Sequence, residues 1–441
     1  MMNSKCKVSV IMPSLNVADY IDECILSALD QTLEDIEIIC IDAGSTDGTW
    51  EKLSDYANTN DKITLIHSDI KSYGYQVNLG IERARGEYVA ILETDDFIEK
   101  DMYETLYNLG VQNDLDIVKA DYDFFITYPG EQREFRRIKL WPDDEEKYNC
   151  VINPSLDSYL YANDYNIWKG IYRRQFLLDN QIFLNESKGA AFQDIGFAQQ
   201  VLACCKRIYY SDRSFYRYRR DREMSSINSV HGLEYSCQEF KRLLEDKKLN
   251  EKLVCKTGLY RHMAQSFIGE LMKTLRAVDY NTESDYIKPY YEWFCPNIRM
   301  AISDKVLAED MYYSDMPCVL DDIAGFAKRL HDADMEQKQR EAFILNKVSG
   351  KEAVIFGAGA RGKATCQLLL QNGVTMNAVC DNNMSIWGME LYGKKVYSPK
   401  ECVQRFKNSK FIIANKFHQD EIKSQLLDLG IEEKDIVIYQ R

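Results

Sequence analysis

The chain has 441 residues, 45% of them hydrophobic and 12% aromatic, enough for two or three domains with packed cores. Its net charge of −14 argues against a nucleic-acid backbone as partner. No apolar window reaches membrane-spanning length, no basic-then-apolar leader opens the chain, and the 13 cysteines include no C-x-x-C pair, so a cytoplasmic protein with reduced thiols is expected.

Val8-Ser9-Val10-Ile11-Met12-Pro13 reads as a short strand stopped by proline. Ile21, Ile25, Ala28 and Leu29 share a helical face. Ile36 to Ile41 is a second apolar strand, closed by Asp42 and the turn Gly44-Ser45-Thr46-Asp47-Gly48. Trp50, Leu53 and Ala57 mark a helix, Ile63 to His67 a third strand, and Val77, Ile81 and Ala84 a helix ending near Gly86. Tyr88 to Leu92 is the fourth strand. Such alternation predicts a parallel, right-handed βαβ array, and continuous apolar strands predict cover on both sheet faces.

The fourth strand runs into Glu93-Thr94-Asp95-Asp96. Carboxylates there lie at the C-terminal edge of the sheet, where open α/β sheets bind ligands. Strand alternation sends Glu93 and Asp95 to one side and Asp96 to the other. Two oxygen-bearing side chains on one side suit a hard divalent cation, Mn2+ or Mg2+, which can also hold nucleotide phosphates. A solvated acidic turn is the competing reading. A dinucleotide-binding half would carry G-x-G-x-x-G after the first strand, but Pro13-Ser14-Leu15-Asn16 stands there.

Val-Ile-Met-Pro-Ser-Leu-Asn, Ile-Asp-Ala-Gly-Ser-Thr-Asp-Gly-Thr, Asn78-Leu-Gly-Ile-Glu-Arg-Ala-Arg-Gly-Glu-Tyr and Glu-Thr-Asp-Asp follow one another at strand ends and helix starts. In that order they resemble the nucleotide-binding half of family-2 glycosyltransferases of the GT-A fold, over Val8 to about Asn113 and more weakly to about Ser226. The resemblance implies that Asp42 contacts the base and that Pro13 and Asn16 line its pocket. It also implies that Asp95 ligates the cation, with Glu93 by the ribose or metal and Thr94 in the same nucleotide-sugar site. Ala43 stands where a second acid is frequent, and Glu93 where Asp is. Tyr75 and Gln76, in Tyr73-Gly74-Tyr75-Gln76, can stack on and hydrogen-bond a sugar or base, or pack on the sheet edge.

Leu115 to Phe125 reads as a further strand and Thr127 to Pro154 as a loop or short hairpin. Ile167-Trp168-Lys169-Gly170-Ile171-Tyr172-Arg173-Arg174 leads on to Phe192-Gln193-Asp194-Ile195-Gly196-Phe197. The resemblance makes Asp194 the catalytic base, with Gln193 replacing the usual Glu. One base and one metal imply an inverting displacement of a nucleoside diphosphate. Otherwise Asp194 is an acid favoured at a helix N-terminus. Asp212 to Ile227 is locally basic. Arg217, Arg219 and Arg220, with Lys169, are candidates for the diphosphate, against the alternative that the arginines pair with neighbouring acids. His231 is a candidate third metal ligand, against a structural role.

Glu234 to about Glu341 is predicted to be a helical connector. Lys351 onward differs: a strand runs into Gly357-Ala358-Gly359-Ala360-Arg361-Gly362, a helix follows, and the next strand ends in Asp381. Residues 349–441 therefore resemble a small Rossmann-like module, with Gly357, Gly359, Gly362 and Asp381 as candidates for a nucleotide or dinucleotide. A second substrate, or assembly such as a homo-oligomer, is equally open for it. The expected layout is a GT-A domain over 1–232 (donor half 1–113, acceptor half 114–232), a connector over 233–348 and the module over 349–441.

The leading expectation is a metal-dependent, inverting glycosyltransferase moving a sugar from a UDP-linked donor to a glycan or lipid-linked acceptor. The resemblance sets it in bacterial surface-polysaccharide synthesis, in the cytosol or in peripheral contact with the inner face of the cell membrane. Two alternatives stand beside it: a bifunctional protein with an NAD(P)-dependent C-terminal oxidoreductase, and a non-catalytic nucleotide-sugar-binding scaffold.

Overall fold

The computed structural model describes residues 6–127, 133–221, 229–308 and 314–438. The first half alternates as its apolar pattern demands: β1 (Val8–Ser14), α1 (Ile21–Leu29), β2 (Ile36–Asp42), α2 (Thr49–Thr59), β3 (Ile63–His67), α3 (Tyr73–Arg83) and β4 (Tyr88–Ile91). Then come β5 (Phe97–Ile98), α4 (Met102–Gln112), β6 (Ile117–Thr127), β7 (Arg133–Ile138), β8 (Val151–Ile152) and α5 (Ser158–Asn163). The segment closes with β9 (Gly170–Arg173), α6 (Arg174–Asp179), α7 (Gln193–Cys204) and β10 (Ile208–Arg219).

These strands form one sheet in the order β3-β2-β1-β4-β9-β6-β10-β5, with β7 beside β6 and β8 beside β10. β1 to β4 pair in parallel, as the alternation predicts. β9 runs antiparallel to both β4 and β6, while β6 and β10 are parallel. Both faces are covered. Val10, Met12, Ile38, Cys40, Ala90 and Leu92 enter one core, and Ile11, Ile39, Ile41, Val89 and Ile91 the other. Consecutive residues of one strand thus serve opposite cores, which is why the strands read as unbroken apolar runs. Burying each such aliphatic side chain stabilises the fold by about 1.5–3 kcal/mol.

Helices α8 (Gly232–Glu245), α9 (Lys247–Lys252), α10 (Lys256–Ala277), α11 (Lys288–Ser303) and α12 (Met316–Asp321) follow. α10 packs on α5 and α8, and α8 on α7, so this helical stretch, through Ala327, folds in one compact unit with the first sheet.

A second unit begins within α13 (Ile323–Val348), at Lys328. It continues with β11 (Ala353–Phe356), α14 (Ala360–Gln371), β12 (Met376–Cys380), β13 (Glu390–Leu391) and β14 (Lys394–Tyr397), then α15 (Pro399–Phe406), β15 (Lys410–Ile413), α16 (Gln419–Asp428) and β16 (Ile436–Ile438). Its smaller sheet has the order β13-β14-β12-β11-β15-β16, parallel except where β13 meets β14. Among the described residues no helix is long and apolar enough to cross a membrane.

Candidate functional site

Strands β1, β2 and β4 end side by side, with Ser14 opposite Asp42 and Ile11 opposite Ile91. Past β4 the chain turns instead of running on extended: the Asp96 N–H donates to the Glu93 carbonyl at 3.1 Å. The carboxylates still divide. Glu93 and Asp95 are partly exposed, whereas Thr94 and Asp96 are 4% and 1% exposed.

Asp96 faces inward, accepting the Tyr216 hydroxyl at 2.8 Å and the Arg219 N–H at 2.7 Å. Burial, and then the nearby charges of Asp95 and Glu93, push its carboxyl well above the usual range. The Tyr216 oxygen in turn accepts the Glu93 N–H at 3.1 Å. Arg219 departs from the expected diphosphate role. Its guanidinium donates to the Asp95 carbonyl at 2.9 Å, pairs with Glu23 at 3.0 Å, and its side chain is 8% exposed. Its neighbour Arg217 pairs with Glu99 and Asp123. The acids of this face therefore hold these arginines; Arg220 is exposed, over the Phe124 ring.

Several residues expected to touch nucleotide or sugar are committed to the protein instead. The Gln76 amide donates to the Ser14 and Ile41 carbonyls at 3.0 and 2.6 Å and is buried. The Thr94 hydroxyl donates to the Pro13 carbonyl at 3.0 Å, tying the acidic turn to β1. Asp42 is 1% exposed; its carboxylate accepts the N–H groups of Gly44 and Ser45, at 3.0 and 2.9 Å, and the Ser45 hydroxyl. It orders its own turn. Asn16, in the left-handed region at φ 52, accepts the Thr46 N–H at 2.9 Å. One physical demand explains all of these. Strand ends leave buried backbone groups unpaired, and nearby polar side chains satisfy them. Tyr75 is partly exposed, its N–H held by the Ser72 cap of α3.

Sequence reasoning names both tyrosines of Tyr73-Gly74-Tyr75 as able to stack on a sugar or base and keeps Tyr75 for the site, whereas it is Tyr73 that meets the acidic turn. Its hydroxyl donates to Glu93 Oε1 at 2.5 Å. Burial, Glu93 and then Asp194 push its phenol well above its ordinary value, so both carboxylates lie within electrostatic reach of one side chain. The approach of Asp194 is built by stitching the chain before α7 to α3. Asn78 exchanges hydrogen bonds with both backbone groups of Leu184 at 2.9 and 3.0 Å, the Tyr73 N–H donates to the Gly189 carbonyl, and the Gly189 N–H to that of Lys71, both at 2.9 Å. The signal was present in sequence as a tyrosine beside the helix cap, but nothing there chose Tyr73 over Tyr75.

Asp194 sits in the first turn of α7 and accepts the Ile195 N–H at 3.0 Å. Burial, reinforced by Glu239, raises its carboxyl to about 6, against the opposing pull of backbone N–H groups and Lys119. Lys169, expected near the diphosphate, is 3% exposed and paired with Asp164 at 2.9 Å. His231 contacts Glu234 on its own helix turn at 2.7 Å through Nδ1 and stacks on Tyr235. Among the described residues no group of three or more His, Cys, Asp or Glu could hold a metal by itself.

In the second unit the glycine motif has a packing explanation. A Cβ on Gly362 would lie 1.7 Å from the Gly357 carbonyl oxygen, and Gly357 has φ 119. Gly359 caps α14. Asp381, a candidate for a nucleotide or dinucleotide, accepts the Ala358 N–H at 2.7 Å and the Asn383 N–H at 2.8 Å, which tie it to its own loops.

The profile of the family described as Glycosyl transferase family 2 matches residues 9–176, and that described as C2185-like, N-terminal matches residues 349–437. An Escherichia coli relative named as the uncharacterized glycosyltransferase YibD is 31% identical over 292 residues, 63% of this chain and 81% of its own length. A Borreliella burgdorferi cholesterol galactosyltransferase is 30% identical over 247 residues, 55% of this chain and 68% of that protein. Among solved structures, S. aureus TarS 1–349 in complex with UDP covers 74% of this chain and 88% of its own, with a TM-score of 0.50 at 19% identity. TarS 1–349 in complex with UDP-GlcNAc gives the same TM-score at 20% identity, over 74% of this chain and 88% of that chain. At these identities the likeness to TarS speaks for the GT-A fold.

Proposed function

This chain belongs to glycosyltransferase family 2, and from that premise we propose that it moves a sugar from a UDP-linked donor to an acceptor hydroxyl with inversion, Asp194 acting as general base. The observation that supports this most is the phenol of Tyr73, which hydrogen-bonds Glu93 at the acidic turn and is raised also by the charge of Asp194.

In this reading Asp194 accepts the proton of the acceptor hydroxyl as that oxygen bonds to the anomeric carbon, and the bond to the diphosphate breaks. A carboxyl raised to about 6 is more basic than an ordinary Asp yet ionised at neutral pH. Retention by double displacement would want a second carboxylate as nucleophile; Glu93 is engaged by Tyr73.

The acidic turn fits a divalent cation that brings other ligands with it. Glu93 and Asp95 are partly exposed oxygen donors, and their charges add to burial in raising Asp96. These two residues would hold Mn2+ or Mg2+, which when bound takes up charge on the leaving diphosphate. Tyr73 and Tyr216 orient the turn from either side, through the Glu93 carboxylate and N–H. A glycan or lipid-linked hydroxyl is the acceptor class.

The test is release of UDP from a panel of UDP-sugars with Mn2+, run beside Asp194→Ala. Turnover should appear with at least one donor and collapse in the variant. Equal release by both proteins would sink the choice of base.

A further inference from the structure

The interior of the first unit holds a charged cluster that the mechanism above does not use. Lys119 on β6 and Lys169 just before β9 converge on Asp164, with Nζ to carboxylate distances of 2.8 and 2.9 Å. All three are buried, at 1%, 3% and 1% exposure. The Tyr210 hydroxyl donates to the same carboxylate at 2.5 Å. Two ammonium groups share one acid, which leaves one net positive charge inside the protein.

The fold is arranged to admit this cluster. A Cβ on Gly170 would lie 2.6 Å from Lys119 Cγ and 2.4 Å from the Val118 carbonyl oxygen, so β9 closes on β6 only because glycine follows Lys169. The Lys119 ammonium sits 5.9 Å from the centre of the Tyr172 ring, whose edge meets Phe197 at 5.4 Å. Phe197 lies three residues after Asp194, and so on the same side of α7. A surplus charge buried beside a carboxylate calls for a reason, because unpaired charge is strongly disfavoured in an interior.

We propose that the Lys119–Asp164–Lys169 cluster is the counter-charge of Asp194, a positioning device whose surplus positive charge keeps the catalytic base ionised. The other groups facing Asp194 do not supply it. Tyr73 from α3 and Tyr172 from β9 are neutral phenols, and Glu239 from α8, although paired with Arg242 at 2.6 Å, raises the Asp194 carboxyl. Lys119 acts in the opposite sense and lowers it. Burial brings Lys119 down to about 8, still charged at neutrality, and Asp164 is held at about 2 by the two lysines against its own burial.

This inference rests on Asp194 being the base, and its test separates the two claims. Carbon-13 NMR of carboxyl-labelled aspartate reads the Asp194 titration directly, its signal identified by disappearance in Asp194→Asn. The pH dependence of UDP release from UDP-glucose and UDP-GlcNAc reads catalysis. Lys119→Gln removes one positive charge and should move the Asp194 titration upward by roughly one pH unit, the scale of one charge at close range in an effective dielectric of ~20. The double variant Lys119→Gln/Asp164→Asn restores the original net charge and should return the titration toward the wild-type value. A merely structural role would let the second substitution add damage without restoring the midpoint. If Lys119→Gln does not fold, Lys169→Gln carries the same expectation. An unmoved or downward titration in the single variant, or no return in the double one, overturns the proposal. A titration that moves as expected while UDP release ignores Asp194 supports the cluster and rejects Asp194 as base.

Discussion

Both sheets end a central strand in acids, and the partners of those acids differ in kind. After β4, Glu93 and Asp95 remain partly exposed, because buried Asp96, Tyr216 and Arg219 hold the turn in shape. After β12, Asp381 is consumed by its surroundings, one oxygen on Ala358 and the other on Asn383. The difference lies in what holds each loop: side chains of β10 at the first sheet, the acid itself at the second. Asp42 repeats the second case inside the first sheet, with its oxygens taken by Gly44 and Ser45.

The largest test of this contrast is Asp194→Ala. It should lower UDP-sugar turnover by about 10²–10⁴, the usual worth of a positioned general base, and circular dichroism should show the same secondary structure. Retained turnover would make the first sheet's edge no more functional than the second's.

Tyr73→Phe comes next. It removes the hydroxyl on Glu93 and leaves the ring, so steady-state kinetics should show a loss of roughly 10–100-fold, the worth of a hydrogen bond to a charged group. A change below twofold would mean the phenol is only packing.

The pH profile is a finer probe. Asp194 titrates at about 6, so kcat/KM should fall about tenfold per unit below that pH and level off above it. Stability runs the other way. The folded value lies above the ordinary 3.8, so the native state holds the proton more tightly. That contribution is complete below the unfolded value and is lost as pH rises through about 6, which denaturant titrations of wild type against Asp194→Asn would reveal.

Asp381→Asn should have the smallest functional effect. Transfer should be unchanged, while the second unit loses about 0.5–1.5 kcal/mol, the usual net worth of a hydrogen bond, because a partly exposed acceptor is weakened. Urea unfolding and turnover measured on the same preparation decide it. A loss of turnover matching that of Tyr73→Phe would erase the distinction between the two strand ends.

Much of this was legible without coordinates. Unbroken apolar runs in Val8 to Pro13, Ile36 to Ile41 and Tyr88 to Leu92 specified buried parallel strands, because covering both faces leaves no polar alternation. The order of motifs pointed to the family and to Asp194 and the acidic turn as the places to look. Periodicity and turn chemistry are local, and one chain carries them openly.

Partner choice is different. Gln76, Thr94, Asp42, Lys169 and Arg219 have the polar chemistry a nucleotide or diphosphate would recruit, and only the tertiary structure decided that the protein itself recruits them. The same packing selected Tyr73, by bringing Gly189 against the start of α3 and Asp194 toward the end of β4. Buried backbone groups must be paired wherever the fold strands them, and residues far apart in the chain meet that demand.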